Sequence, residues 1–131
     1  MTKNDWLELA VLERKKYNLL SEVMDLSRQL GEAMDRSDDV SIRLLLSMRQ
    51  DPILQLEELR RTALLKQENL TPEERERVEA VISGSVSPTA EEESCFEEAG
   101  RSRRLLERVV ELDQRLNRRL AGKNSFYAEK K

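Results

Sequence analysis

The groups of this sequence that could do chemistry are its carboxylates and a single thiol. Carboxylates stand in runs at Glu57-Glu58, at Glu73-Glu74 and at 91–93. Such pairs can serve a di-metal helical bundle when Glu-x-x-His motifs face one another from neighbouring helices, but the chain contains no histidine. Most of these acids fall between apolar positions, so we predict that they lie on solvated helix faces.

Cys95 is the only cysteine, so neither an intramolecular disulfide nor a Cys-based zinc site can form within the chain. The absence of histidine also removes Ser-His-Asp and Cys-His nucleophile systems. Cys95 stands beside Phe96 on an apolar helix face, which predicts a small buried hydrophobe rather than a nucleophile. With no Gly-rich phosphate loop, we expect no enzyme, and therefore no catalytic residues, metal or cofactor.

The composition determines which elements could position these groups. Of the 131 residues, 38% are hydrophobic and 37% are charged, while only four are Gly and three are Pro. This turn content is too low for a β sandwich or barrel, and the abundance of Leu, Glu, Arg, Ala and Lys favours helices. The length fits one domain.

Apolar residues recur at helical, heptad-like spacing along most of the chain. The pattern predicts a long helix over 4–36, a second capped by Ser37 or Asp38 and kinked or broken at Pro52, and a short third opened by Thr71. A long last helix follows the loop at 83–88. We therefore predict an all-α antiparallel bundle of three long helices and one short helix over 1–122. Gly122 is predicted to end the last helix, leaving 123–131 as a flexible C-terminal tail.

Location and partners are constrained by charge and hydropathy. The longest uninterrupted apolar run is the four residues 9–12, and the chain does not start with a basic and then apolar stretch, so we expect a cytoplasmic protein without membrane insertion. Residues 87–100 carry net charge −5 and residues 101–131 net +6, which matches the helix dipole at both ends. An overall charge of −3 and interspersed acids argue against nucleic-acid binding.

Residues 44–56 carry a resemblance to a known family. Their leucine-rich start, then Arg49-Gln50 and then Ile53 resemble the pattern of small flagellar export chaperones of the FliT/FlgN type. The layout is also similar, with a long first helix, an acidic third segment, and a long last helix followed by an aromatic and basic tail.

The resemblance implies a cytoplasmic helical chaperone that binds the terminal helix of a flagellar filament-cap or hook-associated subunit. Its last helix would be the partner-facing element, through Leu105, Leu112, Leu116 and Leu120, with the tail residues Phe126 and Tyr127 as a lid. The residues themselves leave a second hypothesis open, in which the broad apolar stripes bury against a second copy in a structural homodimer with no client.

Overall fold

The computed structural model describes the backbone of residues 1–129 and the side chains of residues 1–122. Its helices in that range are α1 (Lys3–Asp35), α2 (Asp39–Gln67), α3 (Pro72–Ser83) and α4 (Glu93–Glu129). No strand occurs within residues 1–129, which confirms the predicted all-α class. Across the same range, none of the helices combines the length and the apolar character that crossing a membrane requires.

Side-chain caps fix the starts of the first three helices. Thr2 and Asp5 form a capping box at α1, and Thr71 and Glu74 form another at α3, so that side chains bond backbone groups the helix leaves free. Of the two caps predicted for α2, Asp38 is the one used, and it accepts a hydrogen bond from the Ser41 backbone N–H at 3.1 Å. The predicted starts of α2 and α3 are therefore confirmed, whereas the capping box of α1 was not among the predictions.

Three predicted helix boundaries differ from the structure. Helix α2 continues through Pro52 without a break, because the ring removes only one hydrogen bond, to the Met48 carbonyl, and packs in the interior. Helix α4 begins at Glu93 rather than directly after the predicted loop at 83–88. Gly122 does not end α4, whose backbone is helical to Glu129. A single Gly costs a helix only about 1 kcal/mol. The side chains of the predicted tail, 123–131, lie outside the described residues.

Helix α2 runs antiparallel to α1. Near the start of α2, Ile42 shares an apolar cluster with Leu30 and Ala33 from the end of α1. At the other end, the Lys66 ammonium lies 3.0 Å from a carboxylate oxygen of Glu8. These contacts place the start of α2 beside the end of α1 and the end of α2 beside the start of α1.

Helix α4 runs in the same direction as α1. Glu98, near the start of α4, pairs with Arg14 at 3.2 Å, whereas Arg119 pairs with Asp35, the last residue of α1, at 2.8 Å. The predicted antiparallel arrangement is therefore wrong for α4. The reason is that α2 has already returned the chain to the starting end of α1. The short helix α3 stays at that end, where Val78 and Val81 pack in the same cluster as Trp6, so α4 begins there.

The core is divided into three apolar clusters along α1. The first joins α1 to α3 and the start of α4 through Trp6, Leu9, Ala10, Val78, Val81 and Cys95. The middle cluster consists of Leu20, Val23, Leu105 and Val109. The last consists of Leu26, Leu30, Ala33, Ile42, Leu45 and Leu116. Because α1 contributes to every cluster, it is the central helix of the bundle.

An ion pair between a buried carboxylate and a partly exposed guanidinium links α3 to the start of α4. The Glu92 side chain is almost fully buried and accepts two hydrogen bonds from the Arg77 guanidinium, at 2.6 and 2.8 Å. These bonds, with a further one from the Thr89 backbone N–H, lower the pKa of Glu92 to about 2, against the desolvation that raises it. The expected position on a solvated face is thus wrong for Glu92.

This pair gives the first testable prediction. A carboxyl with a lowered folded-state pKa stabilises the fold fully above its unfolded value, 4.5, and that contribution is lost as the pH falls towards about 2. We expect Glu92→Gln to lower the free energy of unfolding by about 2 kcal/mol at neutral pH. The difference from wild type should shrink as the pH falls below about 5.

Urea unfolding followed by circular dichroism over a pH series measures both effects. The matched control is Glu91→Gln, because Glu91 is the exposed neighbour. A difference between wild type and Glu92→Gln that stays constant from neutral to acidic pH would contradict the assignment.

Candidate functional site

An open apolar groove lies between α2 and α4, above α1, with a volume of about 410 Å³. We call it the central groove. Its floor is formed by α1, through Leu12, Glu13, Lys16 and Leu20. The α2 wall is formed by Ile53, Leu56, Glu57, Leu59, Arg60 and Ala63, and the α4 wall by Leu106. Most of these side chains are aliphatic, as in sites that bind apolar surfaces.

The central groove exists because α1 packs closely along both α2 and α4, whereas α2 and α4 make little direct contact with each other in the described residues. At one end the two walls are joined by an ion pair between Arg49 of α2 and Asp113 of α4. Beyond Pro52, no residue of α2 is fully buried. This half of α2 is therefore held less tightly than the first half, and the space beside it stays open.

The α4 wall presents apolar surface to solvent. Leu106 is 37% exposed, and Val110, one turn further along α4, is 45% exposed. Residues spaced by four lie on the same face of a helix. Two aliphatic side chains in register beside an apolar groove form a continuous surface whose exposure to water is unfavourable, so covering it would lower the free energy.

Charged groups are present at the floor and the rim of the central groove. Glu13 and Lys16 stand on the floor helix, and Glu57 and Arg60 stand on α2. Burial raises the pKa of the Glu13 carboxyl, while the positive charges of Lys16 and Arg103 act in the opposite direction. The Ser102 hydroxyl donates to the Glu13 backbone carbonyl at 2.9 Å, which ties α4 to α1 at this level.

The leucines predicted to bind a partner lie in the bundle core. Leu105 and Leu116 are buried, and Leu112 and Leu120 are half-buried and pack on the cluster around Leu116. The structure therefore does not present them to a partner in this state. The side chains of Phe126 and Tyr127 lie outside the described residues.

The groove-lining residue that the partner prediction missed on α4 is Leu106. It stands beside the stripe of buried positions rather than within it, and Val110 repeats that offset one turn later. The sequence signal that distinguishes Leu106 and Val110 from the buried positions of α4 is their i, i+4 spacing on a line displaced from the main apolar stripe. The α2 residues of the groove carry no such signal, because their spacing is that of an ordinary buried face.

The Cys95 thiol and the acidic side chains do not have the environment or the arrangement that nucleophilic catalysis or metal binding requires. Cys95 is buried, and desolvation, with smaller contributions from the charges of Glu13 and Glu92, raises its pKa to about 12. This agrees with the predicted role as a small apolar residue. Within residues 1–122 no group of acidic or cysteine side chains has the arrangement to hold a metal ion.

Comparisons with family models, with curated proteins and with solved structures gave no match.

Proposed function

We propose that this chain is a cytoplasmic helical chaperone or adaptor, without catalytic activity, that covers an apolar helix of a partner protein. The observation that carries this proposal is the central groove, which is apolar, open along one side and edged by the exposed side chain of Leu106. An amphipathic helix docks in such a groove through apolar residues spaced by three, four and seven positions.

The proposed client class is a flagellar export substrate. It rests on the resemblance of residues 44–56 to the FliT/FlgN-type chaperones, for which the partner is the terminal helix of a filament-cap or hook-associated subunit. Three residues of that segment have roles in this bundle. Arg49 joins α2 to α4, while Ile53 and Leu56 form part of the α2 wall.

The proposal predicts that Leu106→Glu weakens binding of a helical client by about tenfold or more. A buried carboxylate on the α4 wall would lose its water without gaining a partner. The probes are fluorescent peptides: the terminal helices of filament-cap and hook-associated subunits from the same source, and a designed helix with leucine on one face. Fluorescence anisotropy gives the dissociation constants.

The matched control is Leu54→Glu, which places the same charge on α2 at a leucine that is 58% exposed and does not line the central groove. We expect it to bind like wild type. Equal affinity of both variants and wild type for every probe would refute the groove as the site. If only the designed helix binds, the adaptor function is supported and the flagellar export substrate is excluded as the client.

The competing function is a structural homodimer in which a second copy covers the same apolar surface. Light scattering separates the two. A dimer at micromolar concentration that becomes monomeric in Leu106→Glu would favour self-association, whereas a wild-type monomer that binds the peptides would favour the adaptor.

A further inference from the structure

The floor of the central groove contains one acidic side chain, together with two leucines and Lys16. Glu13 is half-buried there, beside Leu12 and near Leu20. Among residues 1–122 the Glu13 carboxylate takes part in no hydrogen bond or ion pair. The positive charges of Lys16 and Arg103 act on the carboxylate without a direct contact.

The charged groups around Glu13 either bond another part of the chain or have side chains long enough to place their charges in water outside the groove. From α4, Arg103 donates to the Ile82 carbonyl at 2.6 Å, and its guanidinium lies over Gly84. From α1 and α2, Lys16 and Arg60 have long stems that let their charges reach water when the groove is covered. Glu57, the other acid of the groove, is exposed. The Cys95 thiol, on the α4 side, is uncharged at neutral pH.

When a partner covers the groove, the Glu13 carboxylate therefore loses more of its hydration than the neighbouring charged groups do. A helix with a wholly apolar face would remove the remaining water from the carboxylate, which is costly for a charged group without a partner. A helix with a cationic side chain at that level would replace the water with an ion pair inside a low-dielectric site. The structure thus favours one partner chemistry over the other.

We propose that the central groove selects an amphipathic helix that places one Lys or Arg within its apolar face, opposite Glu13. This inference rests on the proposed function, because it assumes that a helix occupies the groove. It adds the chemical feature by which one helix is chosen among many with a similar apolar face, since specificity arises from penalising the wrong partner.

The test uses two synthetic leucine-faced helical peptides that differ at one central position of the apolar face, which is Lys in one and Gln in the other. We expect wild type to bind the Lys peptide about tenfold more tightly than the Gln peptide at neutral pH. In Glu13→Gln this preference should fall below about threefold. Glu58→Gln, which removes an exposed acid of α2 that does not line the central groove, should keep the full preference.

Calorimetry in two buffers of different ionisation enthalpy supplies a second readout. Burial already raises the pKa of Glu13, and covering it with the Gln peptide should raise it further, so that wild type takes up protons on binding in mildly acidic solution. Glu13→Gln should show no such uptake. The Lys peptide should cause less uptake than the Gln peptide.

The outcomes separate this inference from the proposed function. Equal binding of both peptides to wild type would overturn the role of Glu13 and leave the groove as a helix site. Absence of binding by either peptide would overturn both. A preference that survives in Glu13→Gln, shown by circular dichroism to be folded, would assign the selection to another group and refute the proposal.

Discussion

Replacement of Leu116 by Ala is expected to lower the free energy of unfolding by about 2 to 5 kcal/mol. The Leu116 side chain is 2% exposed and belongs to the apolar cluster that holds α4 against α1 and the start of α2. The substitution removes buried methyl groups and leaves a cavity that the neighbouring leucines fill only in part.

Urea unfolding gives the size of the effect, and Leu64→Ala is the control. Leu64 is an exposed leucine of α2, so its removal should change the free energy of unfolding by no more than about 0.5 kcal/mol. The resemblance to flagellar chaperones implies a different role for Leu116, namely contact with the partner. Loss of client binding with no change in the free energy of unfolding would support that role and contradict the assignment of Leu116 to the core.

The second large effect is expected at the ion pair between α2 and α4. Arg49 is 8% exposed and donates from one terminal nitrogen to Asp113, while its Nε is buried without a hydrogen-bond partner in the described residues. We expect Asp113→Ala to cost about 3 kcal/mol, because it leaves a guanidinium buried without its counter-ion. This is the lower end for such pairs, since 37% of the Asp113 side chain faces solvent.

The paired substitution Arg49→Met with Asp113→Leu is the control for this prediction. It removes the charge and its partner together, so the free energy of unfolding should return to within about 1 kcal/mol of wild type. Thermal and urea unfolding of the three proteins complete the comparison. If the double variant is as unstable as Asp113→Ala, shape at this position matters more than charge, and the argument from desolvation is wrong.

Local sequence signals were sufficient to predict the all-α fold class and the starts of α2 and α3. Thr71, Pro72 and Glu74 form a capping box with Pro at the first helical position, a pattern that depends on neighbouring residues alone. The predicted kink or break at Pro52 and the predicted helix end at Gly122 are wrong, because neighbouring residues alone do not decide these two points. Tertiary packing and the length of the surrounding helix determine whether a weak helix former ends it.

The functional site was less predictable, because the same apolar stripe can be covered by the protein's own core or by a partner helix. Leu105 and Leu116 have the spacing of a helix-binding surface and equally that of a core, and the fold assigns them to the core. Glu13 looked like any acid between apolar positions. Its place on the groove floor follows from α2 and α4 standing apart beyond Pro52, which no local pattern records.

The two walls of the central groove differ in how firmly they are held. Leu105 and Val109 of α4 are buried on either side of Leu106, whereas no residue between 53 and 67 of α2 is fully buried. Segments with few buried contacts open at a lower free-energy cost than the fold as a whole. The α2 wall can therefore shift outward while the α1 floor and the α4 wall keep their positions. One groove can in this way admit helices whose apolar side chains differ in bulk, with shape tolerance supplied by α2 and selection by charge retained on the floor.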